Sequence, residues 1–186
     1  MTNIRPQHKI KEQNESHLKK QSKNMEWIIT DFLNSEKTLY LSAGIIGVFS
    51  VIIGILFFSF TAYKSFAVTL IVLGILESII MFPLYLKQYH KIENKITIYT
   101  NNSVEFLERE EVQTEKDLKS FFRLKLIYGF CILLIIVVMS FLDSKSIFFG
   151  ISTALILHLS LAITIDNFGE VYTKKYQTQL KISSQN

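Results

Sequence analysis

The chain predicts an all-α integral membrane four-helix bundle, two hairpins in parallel repeat, with amphipathic and polar helical segments on the cytoplasmic side. Three observations predict it. Leu41–Phe60, Phe66–Leu86, Leu126–Leu142 and Ile147–Ile165 are almost free of charge, and each fits the roughly 17–25 apolar residues that a helix needs to cross a hydrocarbon core. Within them the apolar residues take every helix face, as in Ile132–Met139, where a soluble helix would show a stripe. Finally, eighteen of the twenty Lys and Arg lie before the first stretch, between the second and third, or after the fourth.

That bias marks the cytoplasmic face. It places both termini and the central segment inside a cell (inner) membrane, and the turns around Tyr63–Ser65 and Asp143–Ser146 outside. Two such turns cannot form a receptor domain, so the expected partners are the lipid bilayer and a cytoplasmic protein. A net charge of +4, with acidic groups mixed among the basic ones, argues against direct nucleic-acid binding; Lys19, Lys20 and Lys23 suit anionic headgroups. No cleavable signal is expected, because the first apolar run is too long for a signal core.

Residues 1–24 are Lys, Gln, Asn, Glu and His with few apolar side chains and are expected to be a disordered cytoplasmic tail. In 25–37, Met25, Ile28, Ile29, Phe32 and Leu33 recur at helix spacing, predicting an interfacial amphipathic helix. Its acidic polar face suits a protein partner or a neighbouring subunit, with Trp27, Ile28 and Phe32 as the partner-facing residues; packing on the chain's own loops is the other possibility. The first hairpin, 38–88, carries Ala43, Gly47, Ser50 and Gly54 at four-, three- and four-residue spacing. Small side chains on one face let helix backbones approach in lipid, within the chain or across a homo-oligomer. Pro83 removes the helical partner of the Ile79 carbonyl and predicts a kink.

In the linker and helix of 89–123, Lys91–Thr100 alternates weakly, Asn101-Asn102 reads as a turn and cap with Glu105 at the third position, and a polar helix follows. Glu105 with Arg109 and Glu115 with Lys119 sit one turn apart and support it. No Gly or Pro interrupts Ser103–Tyr128, so this helix should run unbroken into the second hairpin, 124–170. The tail 171–186 is cytoplasmic, its last six residues expected to be disordered. Tyr40, Tyr85, Tyr89, Tyr128, Tyr172 and Tyr176 read as a boundary belt, and Asp166 and Glu170 as interfacial ion pairs near Lys87 and Arg123.

A shift of eighty-one positions superposes Ser59-Phe60 on Ser140-Phe141, Lys64-Ser65 on Lys145-Ser146, and Glu77 on His158. Both hairpins enter from the same side, so the repeat axis runs along the membrane normal. Glu77 lies twelve residues beyond Ser65, about 18 Å along a helix and near mid-bilayer, where an acidic charge costs roughly 2.5–3.5 kcal/mol. His158 has the matching depth, and a Glu77–His158 hydrogen bond is expected. Such a pair could be a proton relay, a gate or pore lining, or it could simply fix helix register.

No nucleophile with a histidine base, paired carboxylates or phosphate loop is present, so no catalytic residue, enzyme activity or cofactor is expected. Metal needs more ligands at that depth than Cys131 offers. The remaining readings are a membrane scaffold or sensor that docks a cytoplasmic partner, and an oligomeric ion-conducting pore or transporter subunit with Glu77 and His158 lining the path. Leu76-Glu77 followed by Tyr89-His90-Lys91 in a polar helix exit resembles the two-span SLATT effector domains. The four-span layout resembles the small membrane components of Kiwa-like bacterial antiphage systems. That resemblance implies a defence role, in which membrane perturbation or infection is sensed and a partner is recruited or permeability changes.

Overall fold

The structure, a computed structural model, describes residues 5–60 and 63–184, with the backbone alone for 5–19, 21 and 184. It contains α1 (Arg5–Phe60), α2 (Lys64–Asn101), α3 (Ser103–Met139) and α4 (Ile147–Ser184). Each helix is long and apolar enough to cross a membrane, and the chain is a multi-pass membrane protein. With 37 residues, α3 is about 55 Å long, whereas a hydrocarbon core is about 30 Å thick. Much of each helix therefore stands outside the bilayer. Both ends of the described chain and the α2–α3 junction lie at one end, the head; Phe60, Lys64 and the turn after Met139 lie at the other, the turn end.

The head is packed as a soluble bundle. Met25, Ile28, Ile29, Phe32 and Leu33 of α1 meet Tyr99 of α2, Phe106 of α3, and Tyr176 and Leu180 of α4 in one buried cluster. Phe32 stacks on Tyr176 with centroids 4.1 Å apart, and Tyr99 meets Phe106 edge-on at 5.5 Å. In water, burying a side chain such as Ile29 or Leu33 is worth roughly 1.5–3 kcal/mol. This corrects the partner-facing reading of 25–37: Ile28 and Phe32 are buried in the chain's own core, and only Trp27 stands exposed. The stripe is amphipathic because three neighbouring helices cover it.

Three further expectations change. α1 is helical from Arg5 and α4 continues to Ser184, where disorder was expected through residue 24 and from 181; residues 1–4, 185 and 186 lie outside the described residues. Lys, Gln and Glu are good helix formers, and no Gly breaks this segment of α1. Tyr176 leaves the boundary belt for the head core, and Tyr172 packs against that core. Lys91–Thr100 is helical, and Ile92 and Ile96 join Tyr99 on the core face.

Asn102 separates α2 from α3. Its side chain accepts from the Glu105 N–H at 3.2 Å and donates to the Glu105 carboxylate at 2.9 Å, an N-cap reinforced side chain to side chain, while the Asn102 backbone N–H is taken by the Ile98 carbonyl at the end of α2. From there α3 is unbroken to Met139, with Arg109 paired to Glu105 and Lys119 to Glu115. α2 is one helix through Pro83.

Within the membrane the two hairpins differ. Ala43, Gly47, Ser50 and Gly54 form the seam of α1 against α2, inside a single chain. A methyl on Gly47 would sit 2.8 Å from the Gly74 carbonyl, and one on Gly54 would sit 2.9 Å from the Ala67 carbonyl. Gly150 brings α4 equally close to Ser65 and Phe66 of α2. α3 packs on α4, reaches α1 only through side chains such as Phe106 in the head, with no Cα pair within 8 Å among the described residues, and has open space around Gly129.

Candidate functional site at mid-membrane

Glu77 on α2 and His158 on α4 meet where the two hairpins touch. The His158 Nε2 lies 3.8 Å from Glu77 Oε2, and both side chains are largely buried. The imidazole is oriented by its own helix, since Nδ1 lies 3.3 Å from the Ala154 carbonyl. A carbonyl only accepts, so Nδ1 carries a proton and Nε2 is the atom presented to Glu77. The separation exceeds a direct hydrogen bond. It spans either a small side-chain shift or one bridging water.

A single proton shared by the two would leave the pair without net charge. With the proton on Glu77 Oε2, both groups are neutral; with it on His158 Nε2, they form an ion pair of no net charge. Loss of that proton leaves a bare carboxylate in a low-dielectric interior, and gain of another leaves a bare imidazolium. Both are costly there. The smallest neighbours come from the seam: Ser78 donates to the Gly44 carbonyl at 3.4 Å.

Four buried side-chain polar atoms have no hydrogen-bond partner among the described residues: Glu77 Oε2, His158 Nε2, Gln88 Oε1 and Asp166 Oδ2. All lie at the pair or between it and the head. Gln88 is three turns after Glu77 on the same face of α2, and Lys95 is five turns after it. Asp166 follows His158 by two turns on α4. Native interiors satisfy such atoms with protein or with water.

The head holds a cavity of about 440 Å³ between the four helices. Glu36, Lys91, Lys95, Glu110 and Asp117 line it. Glu36 accepts from Gln88 at 3.3 Å and Lys91 at 2.8 Å. Glu110 accepts from Lys95 at 2.6 Å and from the Tyr176 hydroxyl at 3.0 Å. Burial, then the charge of Glu110, holds the Tyr176 hydroxyl far above its ordinary range, so it stays a donor.

The Gln88, Lys95 and Glu110 positions were not singled out from sequence, and Tyr176 was read only as part of the boundary belt. The available signal was the three- and five-turn spacing of Gln88 and Lys95 from Glu77, and it is visible only once α2 is known to be a single helix. Glu170 pairs with Lys125 and Lys174, which replaces the expected Lys87 and Arg123. No group of three or more His, Cys, Asp or Glu among the described residues could hold a metal. No protein-family model, curated protein or solved structure matches the chain.

Proposed function

We propose that the protein is a scaffold or sensor of the inner membrane, with the head and both termini in the cytoplasm, that docks a cytoplasmic protein partner. One observation carries this reading: each of the four helices passes without a break from its apolar segment into the packed head. A displacement in the membrane is then passed along rigid rods to a large charged surface, while the far end offers only two short turns. The basic bias supports the orientation. Trp27, Val104 and Val112 stand exposed on the head. On this reading the protein is not an enzyme, and the layout resemblance extends the role to antiphage defence.

Photo-crosslinkers at Trp27 and Val112, with one at Phe141 on the turn end, test the docking role in cells. Protein adducts from the head positions and none from Phe141 are expected; adducts from Phe141 alone overturn it. A reporter on the C-terminus that is active only outside the cytoplasm overturns the orientation.

The buried Glu77–His158 pair favours a second reading, a pore or transporter subunit, with copies associating through the uncovered face of α3. Ion flux in liposomes decides between them. Flux abolished by Glu77→Leu supports the pore, whereas absence of flux together with head-specific adducts supports the scaffold.

A further inference from the structure

We propose that Glu77 and His158 form one proton-binding site, reached by water from the head end of the bundle and closed toward the turn end. It stands independently of the docking role. The argument rests on an asymmetry along the membrane normal.

Toward the turns, backbone meets backbone. Gly47 lies on Gly74, Gly54 on Ala67, and Gly150 on Ser65 and Phe66, each too close to admit a methyl. Ala67, Leu70 and Ala154 are fully buried among them. A water needs two to four polar partners and about one probe sphere of room. At these contacts the room is missing.

Toward the head the reverse holds. Gln88 Oε1 and Asp166 Oδ2 are buried without a hydrogen-bond partner, about 16 Å beyond Glu77 and about 12 Å beyond His158 along their helices. Gln88 in turn donates to Glu36 on the cavity wall. Waters satisfying these atoms form a file from the cavity to the pair, with Ala162 rather than a bulky side chain between His158 and Asp166.

The titratable surroundings are few. Within the four apolar stretches only Tyr85, Tyr128 and Cys131 accompany the pair. α1 brings no titratable group to this depth. α4 brings Asp166, which interacts across the gap with Lys125 and Tyr128 of α3. A proton arriving through the file converts the carboxylate–imidazole state into the shared-proton state. Internal transfer then moves it from Glu77 Oε2 to His158 Nε2 without changing net charge. Because Glu77 belongs to one hairpin and His158 to the other, occupancy of the site changes the attraction between the hairpins at mid-membrane.

The test uses the full chain in liposomes, oriented by capture of a C-terminal tag, with the pH stepped on one side at a time. Infrared difference spectra follow the protonated-carboxyl band assigned by its loss in Glu77→Gln. If that variant does not fold, isotopic labelling of glutamate carboxyls assigns the band in the unaltered chain. The band is expected to respond to steps on the head side and to stay constant for steps on the turn side. In His158→Leu it should persist at every pH tested, because the carboxyl has lost its base. Equal response from both sides, response from the turn side alone, or an unchanged titration in His158→Leu overturns the proposal.

Discussion

Gly47 and Gly129 are both glycines in the middle of apolar helices, yet they do opposite things. Gly47 lies on the backbone of α2, whereas Gly129 faces open space. The first hairpin is a zipped pair, and the second is a loose one whose α3 apolar window is 0% buried within the chain. In lipid, apolar burial gives no drive to associate, so close packing needs small side chains aligned on one face. α1 has four in register; α3 has Gly129 and Cys131 and no such row. The hairpins are joined to each other in the head, where water restores the hydrophobic drive, at mid-membrane by a polar pair, and near the turn end where Gly150 of α4 lies on Ser65 and Phe66 of α2.

If the head holds the hairpins together, removing its central ring has the largest effect. Tyr176→Ala is expected to cost about 3–5 kcal/mol, as for other large aromatic truncations in a core. Thermal unfolding in detergent, followed by circular dichroism, reads this. An unchanged midpoint means the hairpins are joined elsewhere. Tyr176 also sets an alkaline limit. Its hydroxyl is held protonated in the fold but ionises near pH 10 in the unfolded chain, so stability falls as pH rises above about 10. Tyr176→Phe should remove that slope.

The contrast between hairpins is sharpened by Gly74→Leu against Gly129→Leu. Overpacking at Gly74 is expected to cost about 1–3 kcal/mol or more. The Gly129 variant should match the parent, because its added side chain meets no protein. Equal loss in both would mean that α3 is covered as tightly as α1. A smaller effect is expected at the junction: Asn102→Ala removes the cap of α3 and should cost about 1 kcal/mol. The smallest is Lys119→Ala, which opens an exposed pair with Glu115 and should leave the midpoint within measurement error.

Much of this was legible in residues. The seam Ala43, Gly47, Ser50 and Gly54 shows itself by spacing alone, and Asn102 with Glu105 announces a cap because the chemistry is local. Glu77 and His158 stand out as isolated polar side chains in apolar runs. What the spacing could not give was the occupant of each face. The stripe Met25, Ile28, Ile29, Phe32 and Leu33 says that something covers it. It does not say that Tyr99, Phe106 and Tyr176, each more than sixty residues away, do so. The partner of Glu170 was misassigned for the same reason, since Lys87, Arg123 and Lys125 have similar depths and differ only in azimuth.

By itself the sequence determined the helical class, the four crossings and the shared depth of Glu77 and His158. All three follow from one-dimensional quantities: run length, charge placement and rise per residue. Only the tertiary structure decided which helices touch, that the head closes on its own amphipathic stripe, and that the buried atoms without a hydrogen-bond partner lie at the midplane pair or on its head side. Those depend on rotation about helix axes and on contacts between distant segments, which no periodicity along a single helix encodes.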